Sequence, residues 1–102
     1  NVTYNVSNEI IEQIPVGYSL SQNYPNTFNP STYINFTIPN NTHVRITVYD
    51  ITGRVVQRLL NETKVAGNHN IYFNADALSS GVYFYEMQTD AFHEVKKMSL
   101  IK

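Results

Sequence analysis

The most strand-like run in the chain is Val82-Tyr83-Phe84-Tyr85-Glu86-Met87-Gln88-Thr89. Aromatic and β-branched side chains fit the pleated, half-buried surface of a sheet. Gly81 before the run and Asp90-Ala91 after it are turn signals. The run is therefore predicted to form a β-strand, with Tyr83 and Tyr85 on one face and Phe84 on the other.

Other segments repeat this alternation of apolar and polar residues. We predict strands at residues 34–38, 44–48, 54–60, 70–74 and 92–101, although neither face of the last strand is purely apolar. Turn-forming residues separate the strands at 39–42, at 50–53 with Gly53, along a polar stretch at 61–68, and at a corner at 75–81 anchored by Leu78. Six or seven short strands without a helix predict an antiparallel β-sandwich, and a small barrel is the alternative.

The first thirty residues lack a comparable pattern. Residues 1–19 are polar and Asn-rich, and we interpret them as a linker or edge strand that comes from a parent protein. Residues 20–30 hold two prolines and three asparagines, which predicts an ordered loop pinned by Tyr24 and Phe28. The folded domain is therefore expected to span residues 20–102.

Composition and charge narrow the classes of function. The 102 residues suffice for one domain, and the absence of cysteine excludes disulfides and thiolate metal sites. A net charge of -1 provides no field that would attract nucleic acid, and no apolar run approaches the roughly 20 residues of a membrane helix. We therefore expect neither nucleic-acid binding nor membrane insertion.

Residue types that build metal and catalytic sites occur, but without the spacing that such sites need. The histidines lie on different predicted strands, the aspartates lack the dense loop of a calcium site, and no nucleophile elbow surrounds the serines. The residues concerned are His43, His69, His93, Asp50, Asp76, Asp90, Ser79 and Ser80. We expect no metal, no cofactor and no catalysis by this chain.

The alternative function, from another class, is that of a carbohydrate-binding or structural module of an extracellular enzyme. Tyr83, Phe84 and Tyr85 offer rings on which a sugar could stack. Because alternation sends these rings to opposite faces, a flat array would need neighbours from adjacent strands.

Five motifs follow one another in order along the chain. They are Leu20-Ser21-Gln22-Asn23-Tyr24-Pro25-Asn26-Thr27-Phe28-Asn29-Pro30-Ser31-Thr32, Val48-Tyr49-Asp50-Ile51-Thr52-Gly53-Arg54-Val55-Val56, Ala66-Gly67-Asn68-His69, Leu78-Ser79-Ser80-Gly81-Val82-Tyr83-Phe84-Tyr85 and Lys96-Lys97-Met98-Ser99-Leu100-Ile101-Lys102. With these motifs, residues 20–102 resemble the type A C-terminal sorting domain of the type IX secretion system, whose pattern usually has proline at the site of Thr27. The central motifs also resemble the flagellar hook-scaffold type of immunoglobulin-like domain. The resemblance thus implies an all-β, immunoglobulin-like antiparallel sandwich of about seven strands.

The resemblance also implies a function, that of a non-catalytic address on a larger secreted bacterial protein. The N-terminal domains of the parent would fold in the periplasm, and outer-membrane secretion machinery would then bind the module and export the parent to the cell surface or the medium. The residues expected to contact that machinery are Gly81, Val82, Tyr83, Lys96, Lys97, Leu100, Ile101 and Lys102.

Local structure offers a second explanation for part of this set. Glycines serve turns, and lysines on a terminal strand discourage edge-to-edge aggregation. Under the recognition hypothesis, Gly81→Val is expected to unfold the corner and block export together. Deletion of the last few residues is expected to block export while leaving the fold largely intact.

Overall fold

A computed structural model of the chain describes residues 5–6, 9–10 and 15–102, and it is all-β in these ranges. No helix in the described part of the chain is long and apolar enough to cross a membrane. The strands are β1 (Asn5–Val6), β2 (Glu9–Ile10), β3 (Ser19–Leu20), β4 (Ser31–Ile38), β5 (Thr42–Tyr49), β6 (Val55–Lys64), β7 (Gly67–Asn74), β8 (Gly81–Gln88) and β9 (His93–Leu100). Strands β1 and β2 form a small antiparallel pair of their own, and much of the predicted linker at 1–19 lies outside the described residues.

Seven strands form the two sheets of the sandwich. One sheet is 3-stranded with the order β3-β4-β7, the other is 4-stranded with the order β6-β5-β8-β9, and every pairing is antiparallel. The chain changes sheet between β4 and β5, between β6 and β7, and again before β8. This arrangement of two sheets is that of an immunoglobulin-like sandwich and confirms the predicted fold class rather than the barrel.

The apolar side chains at alternate positions of the strands fill the space between the two sheets. In β4, Ile34, Phe36 and Ile38 are fully buried while Tyr33 is exposed. The same period buries Val44, Ile46 and Val48 of β5, Tyr83, Tyr85 and Met87 of β8, and Met98 and Leu100 of β9. Both sheets thus contribute to one core, and this burial is the main term that stabilises the domain.

The turn after β5 has the predicted geometry. Gly53 adopts a φ of 88°, a left-handed value that glycine reaches without steric cost, and its backbone N–H donates to the Asp50 carbonyl at 2.9 Å. The Asp50 carboxylate accepts hydrogen bonds from the backbone N–H groups of Thr52 and Arg54. The hairpin also contains bulges, since the β5–β6 register shifts twice along it.

Two local predictions are wrong. The polar stretch at 61–68 is not a loop, because β6 continues to Lys64 and β7 begins at Gly67. Strand β6 lies at the edge of its sheet, where polar side chains stay in water, so polarity did not mark the end of the strand. Phe28 pins the loop at 20–30 from the core as predicted, whereas the Tyr24 side chain is 80% exposed.

Candidate functional site

The predicted recognition residues lie on the neighbouring strands β8 and β9, except Ile101 and Lys102, which follow β9. Gly81 lies opposite Leu100, and Val82 lies opposite Ser99. Lys96 lies further along the same ladder, opposite Tyr85. The fold therefore brings the corner before β8 and the end of β9 together at one end of the 4-stranded sheet.

Lys102 joins the end of the chain to this corner. Its Nζ donates hydrogen bonds to the carbonyl oxygens of Asp76 at 2.5 Å and Leu78 at 3.0 Å, and its backbone N–H donates to Ser80 Oγ at 2.9 Å. Carbonyl oxygens in a turn have no hydrogen-bond partner on a neighbouring strand. The charged amine of Lys102 therefore bonds two carbonyls that would otherwise depend on water. Residues 75–82 and 99–102 consequently form one unit, called here the C-terminal corner.

Tyr83 holds the corner from inside, and Gly81 shapes its backbone. Tyr83 is only 8% exposed, and its hydroxyl donates to the Ser79 carbonyl at 2.7 Å. Immunoglobulin-like sandwiches use such a tyrosine at the start of the corresponding strand. Gly81 has a φ of 154°, a value that side-chain-bearing residues rarely adopt. Tyr83 therefore supports the C-terminal corner from the core, whereas Gly81, which is exposed, contributes its backbone conformation.

The segment at 21–28, called here the edge loop, covers the outer edge of β9 at its end. Phe28 donates from its N–H to the Ser99 carbonyl at 3.0 Å and accepts from the Ile101 N–H at 3.1 Å. Asn26 Oδ1 accepts from the Ser99 N–H at 3.0 Å, and Gln22 Nε2 donates to the Lys97 carbonyl at 2.7 Å. Four backbone groups of an edge strand are thus removed from pairing with another chain.

Tyr85 anchors the beginning of the edge loop from inside the core. Its hydroxyl donates to the Ser21 carbonyl at 2.6 Å and accepts from the Asn23 N–H at 2.8 Å. Burial raises the pKa of Tyr85 to about 12, and the nearby charge of Glu94 acts in the same direction. Sequence reasoning missed this role, although a tyrosine on the buried face of a strand always needs a partner for its hydroxyl.

Asn23 holds the edge loop at a second point. It is 2% exposed, and its amide Nδ2 donates to the Pro25 carbonyl at 3.0 Å and to Thr32 Oγ1 at 3.1 Å. The Thr32 hydroxyl donates in turn to the Pro25 carbonyl at 2.8 Å. These buried polar groups are all satisfied, so the loop has one preferred shape despite the absence of strand ladders in it.

The two predicted lysines of β9 differ in position. Lys96 lies on the inner face of the strand, where its Nζ forms an ion pair with Glu94 at 3.0 Å. Lys97 is exposed on the outer face, opposite Phe84. The ion pair of Lys96 and Glu94 explains why the inner face of β9 is not purely apolar. Inward-pointing charges of this kind protect an edge strand from aggregation.

A polar cluster that the sequence did not reveal lies on the outer face of the 4-stranded sheet. Tyr49 donates to Glu86 Oε1 at 2.6 Å, and His93 bonds the other carboxylate oxygen. Burial alone would raise the pKa of Glu86, but the bonds from Tyr49 and His93 hold it below its usual value. The cluster joins three strands, and only pairing across the sheet brings its members together.

The other two histidines have partners of their own. His43 bonds Asn61, and His69 bonds the Val65 carbonyl and stacks on Phe36. Within the described ranges no three residues of metal-ligating type come together. The suggested sugar platform is wrong for Tyr83 and Tyr85, because both rings are buried.

These features define a small all-β module whose candidate site consists of strand ends and turn contacts rather than of reactive side chains. A family model described as a secretion system C-terminal sorting domain matches residues 22–102, and the chain belongs to this family. The module is a C-terminal sorting signal of type IX secretion, so the parent is a secreted or cell-surface protein. None of the curated proteins compared with the chain matches it.

Proposed function

We propose that the secretion machinery of the outer membrane recognises the C-terminal corner, together with the adjoining Lys97 of β9, as a preformed surface. The observation that carries this proposal is the set of three hydrogen bonds from Lys102 to the turn at 76–80. These bonds hold the turn and the end of the chain, which are distant in sequence, in one fixed arrangement. A receptor that binds this arrangement would select the folded module over an unfolded chain, because only folding creates it.

The geometry divides the predicted residues into two groups. Val82, Lys97, Ile101 and Lys102 have side chains that a partner can reach, and Ile101 is 59% exposed. Gly81, Tyr83, Lys96 and Leu100 act through backbone conformation, core packing or the ion pair with Glu94. In this proposal the first group contacts the machinery and the second group positions the first.

The chemistry of the accessible group suits a protein partner. An exposed apolar side chain such as Ile101, beside cationic groups such as Lys97, matches the usual anatomy of an interface with an apolar centre and a polar rim. Binding by the module requires no reaction, so any catalytic activity would reside in the domains of the parent. The parent would fold in the periplasm before the machinery binds its tail.

A fusion assay tests the proposal. A reporter with a signal peptide is joined to residues 1–102, either unchanged or with Lys97→Glu and Ile101→Ser, in a strain with a working type IX apparatus. We expect export of the unchanged fusion and retention of the double variant in the periplasm, at an unchanged melting temperature. The matched control is Lys64→Glu with Val55→Ser, which alters a lysine and an exposed apolar residue at the other edge of the same sheet.

The control should be exported normally. Export of the double variant at the rate of the unchanged fusion would overturn the assignment of the C-terminal corner. Retention of both double variants would do the same, because it would show that export responds to any change of charge on this sheet.

A further inference from the structure

The two sheets of the sandwich differ in charge. Strands β3, β4 and β7 contain no Asp, Glu, Lys or Arg. The charged residues of β5, β6, β8 and β9 are Arg45, Arg58, Glu62, Lys64, Glu86, Glu94, Lys96 and Lys97. A solvated sheet face is ordinarily covered with side chains of both signs. The outer face of the 3-stranded sheet, called here the neutral face, therefore needs an explanation.

Three exposed tyrosines form a row across the neutral face. Tyr24 and Tyr33 exchange two backbone hydrogen bonds of 2.9 and 3.0 Å, and Tyr33 lies opposite Tyr72. Directly opposed residues of antiparallel strands share a face. The rings of Tyr33 and Tyr72 lie 5.4 Å apart at 56°, and the exposed fractions are 80% for Tyr24, 50% for Tyr33 and 55% for Tyr72.

Amide and hydroxyl groups continue the neutral face beyond this tyrosine row. Asn35 and Asn70 form the next row, and Ser19, Thr37 and Asn68 form the row after it. The last row borders a depression of about 530 Å³, whose remaining lining comes from residues 15–18.

We propose that the neutral face binds an uncharged polysaccharide. Tyrosine rings offer apolar surfaces and a polar tip, which suit the apolar faces and the hydroxyls of a sugar ring. Asparagine side chains both donate and accept hydrogen bonds, as hydroxyl groups also do. A face without Lys or Arg offers no counter-charge to an anionic polymer, so electrostatic complementarity favours a neutral one.

This activity is separate from sorting in place and in chemistry. The neutral face belongs to the 3-stranded sheet, whereas Val82 and Lys97 face outward from the 4-stranded sheet. The tyrosines of the neutral face also differ from Tyr83 and Tyr85, whose rings are buried. One module could thus hold a polysaccharide while its C-terminal corner is occupied, and neither function requires the other.

Affinity electrophoresis of the full chain tests the proposal without the secretion machinery. Native gels contain barley β-glucan, birchwood xylan or, as the anionic comparison, alginate. We expect at least one of the two neutral polymers to retard the protein, and alginate to leave its mobility unchanged. Tyr33→Ala and Tyr72→Ala should each lower the association constant about threefold to tenfold, the size of one aromatic contact.

Matched controls come from the other sheet. Tyr49→Ala and Asn61→Ala should leave retardation unchanged, whereas Asn70→Ala should weaken it, and Asn70→Ala remains informative if the tyrosine variants fail to fold. Absence of retardation by both neutral polymers, stronger retardation by alginate, or equal retardation of the Asn70 and Asn61 variants would overturn the proposal. Because the assay contains no export step, its failure leaves the sorting proposal untouched.

Discussion

The Tyr85 hydroxyl and the Asn23 backbone N–H lie 62 positions apart in the sequence and form a buried hydrogen bond of 2.8 Å. The same hydroxyl donates to the Ser21 carbonyl, so one side chain of β8 satisfies two backbone groups at the start of the edge loop. The edge loop then covers the end of β9. Core packing and the arrangement of the C-terminal corner are therefore coupled through Tyr85.

Tyr85→Phe should lower the free energy of unfolding by about 1–3 kcal/mol, because it leaves the buried Asn23 N–H without a partner and removes the part-buried bond to the Ser21 carbonyl. Urea unfolding followed by circular dichroism measures the change. The matched control is Tyr72→Phe, which removes a hydroxyl from a side chain that is 55% exposed and should change stability by less than about 0.5 kcal/mol. Equal effects of the two variants would contradict this role of Tyr85.

Stability should also fall at alkaline pH through Tyr85. Its pKa is raised from 10.0 to about 12 in the folded state, so the unfolded chain loses this proton at lower pH than the folded one. The free energy of unfolding therefore decreases as the pH rises from 10 towards 12. Tyr49, bonded to Glu86, has a raised pKa and contributes in the same direction. The free energy of unfolding, measured with urea at about pH 9 and about pH 11, should decrease less in Tyr85→Phe than in the unchanged protein.

The turn at Asp50 should respond to acid. The Thr52 hydroxyl, followed by the backbone N–H of Arg54, lowers the pKa of Asp50 from 3.8 to about 2. A depressed pKa stabilises the folded state above pH 3.8, and this contribution disappears as the pH falls towards 2. Thr52→Val should raise the pKa of Asp50 in an NMR titration. It should also reduce the loss of folded-state stability in acid. Thr63→Val, on β6, serves as the control and should leave the Asp50 titration unchanged.

Leu100 and Ile101 are adjacent and should respond differently to truncation. Leu100 is 1% exposed, so Leu100→Ala should cost about 2–5 kcal/mol of unfolding free energy, whereas Ile101→Ala, at 59% exposure, should cost less than about 0.5 kcal/mol. Thermal or urea unfolding distinguishes them. A small effect of Leu100→Ala would contradict its place in the core.

The burial of Leu100 also corrects the expectation that the last few residues can be deleted with the fold largely intact. A deletion that includes Leu100 removes a core side chain and the Ile101 bond to Phe28. Loss of export by such a truncated fusion would therefore not separate recognition from unfolding. The substitutions of Lys97 and Ile101 avoid this difficulty, because both side chains lie at the surface.

Gly81→Ala should destabilise the domain by about 1–3 kcal/mol through backbone strain alone. The φ of 154° is rarely adopted by other residues, yet no atom outside the chain neighbours lies within 4 Å of the position that a Cβ would occupy. Gly17→Ala is the matched control, since its surroundings are equally open and its φ lies outside the range that disfavours side chains. Equal melting temperatures of the two variants would show that the backbone at Gly81 relaxes.

Much of the fold follows from local pattern. The period of two in Ile34, Phe36 and Ile38 predicted which side chains the core buries, because successive residues of a strand point to opposite faces. Gly53 marked its turn for a similarly local reason. The ends of β6 and β7 were not predictable in this way, since an edge strand keeps polar residues in water and resembles a loop.

The sequence by itself determined the class of fold, the motifs of the family and the positions of the main turns. Only the tertiary structure decided that Lys102 caps the corner before β8, that Tyr85 holds the edge loop, and that the charges of the two sandwich sheets lie on one of them. The reason is physical. Periodicity and turn chemistry depend on neighbours along the chain, whereas these contacts depend on strand pairing and sheet packing between distant segments.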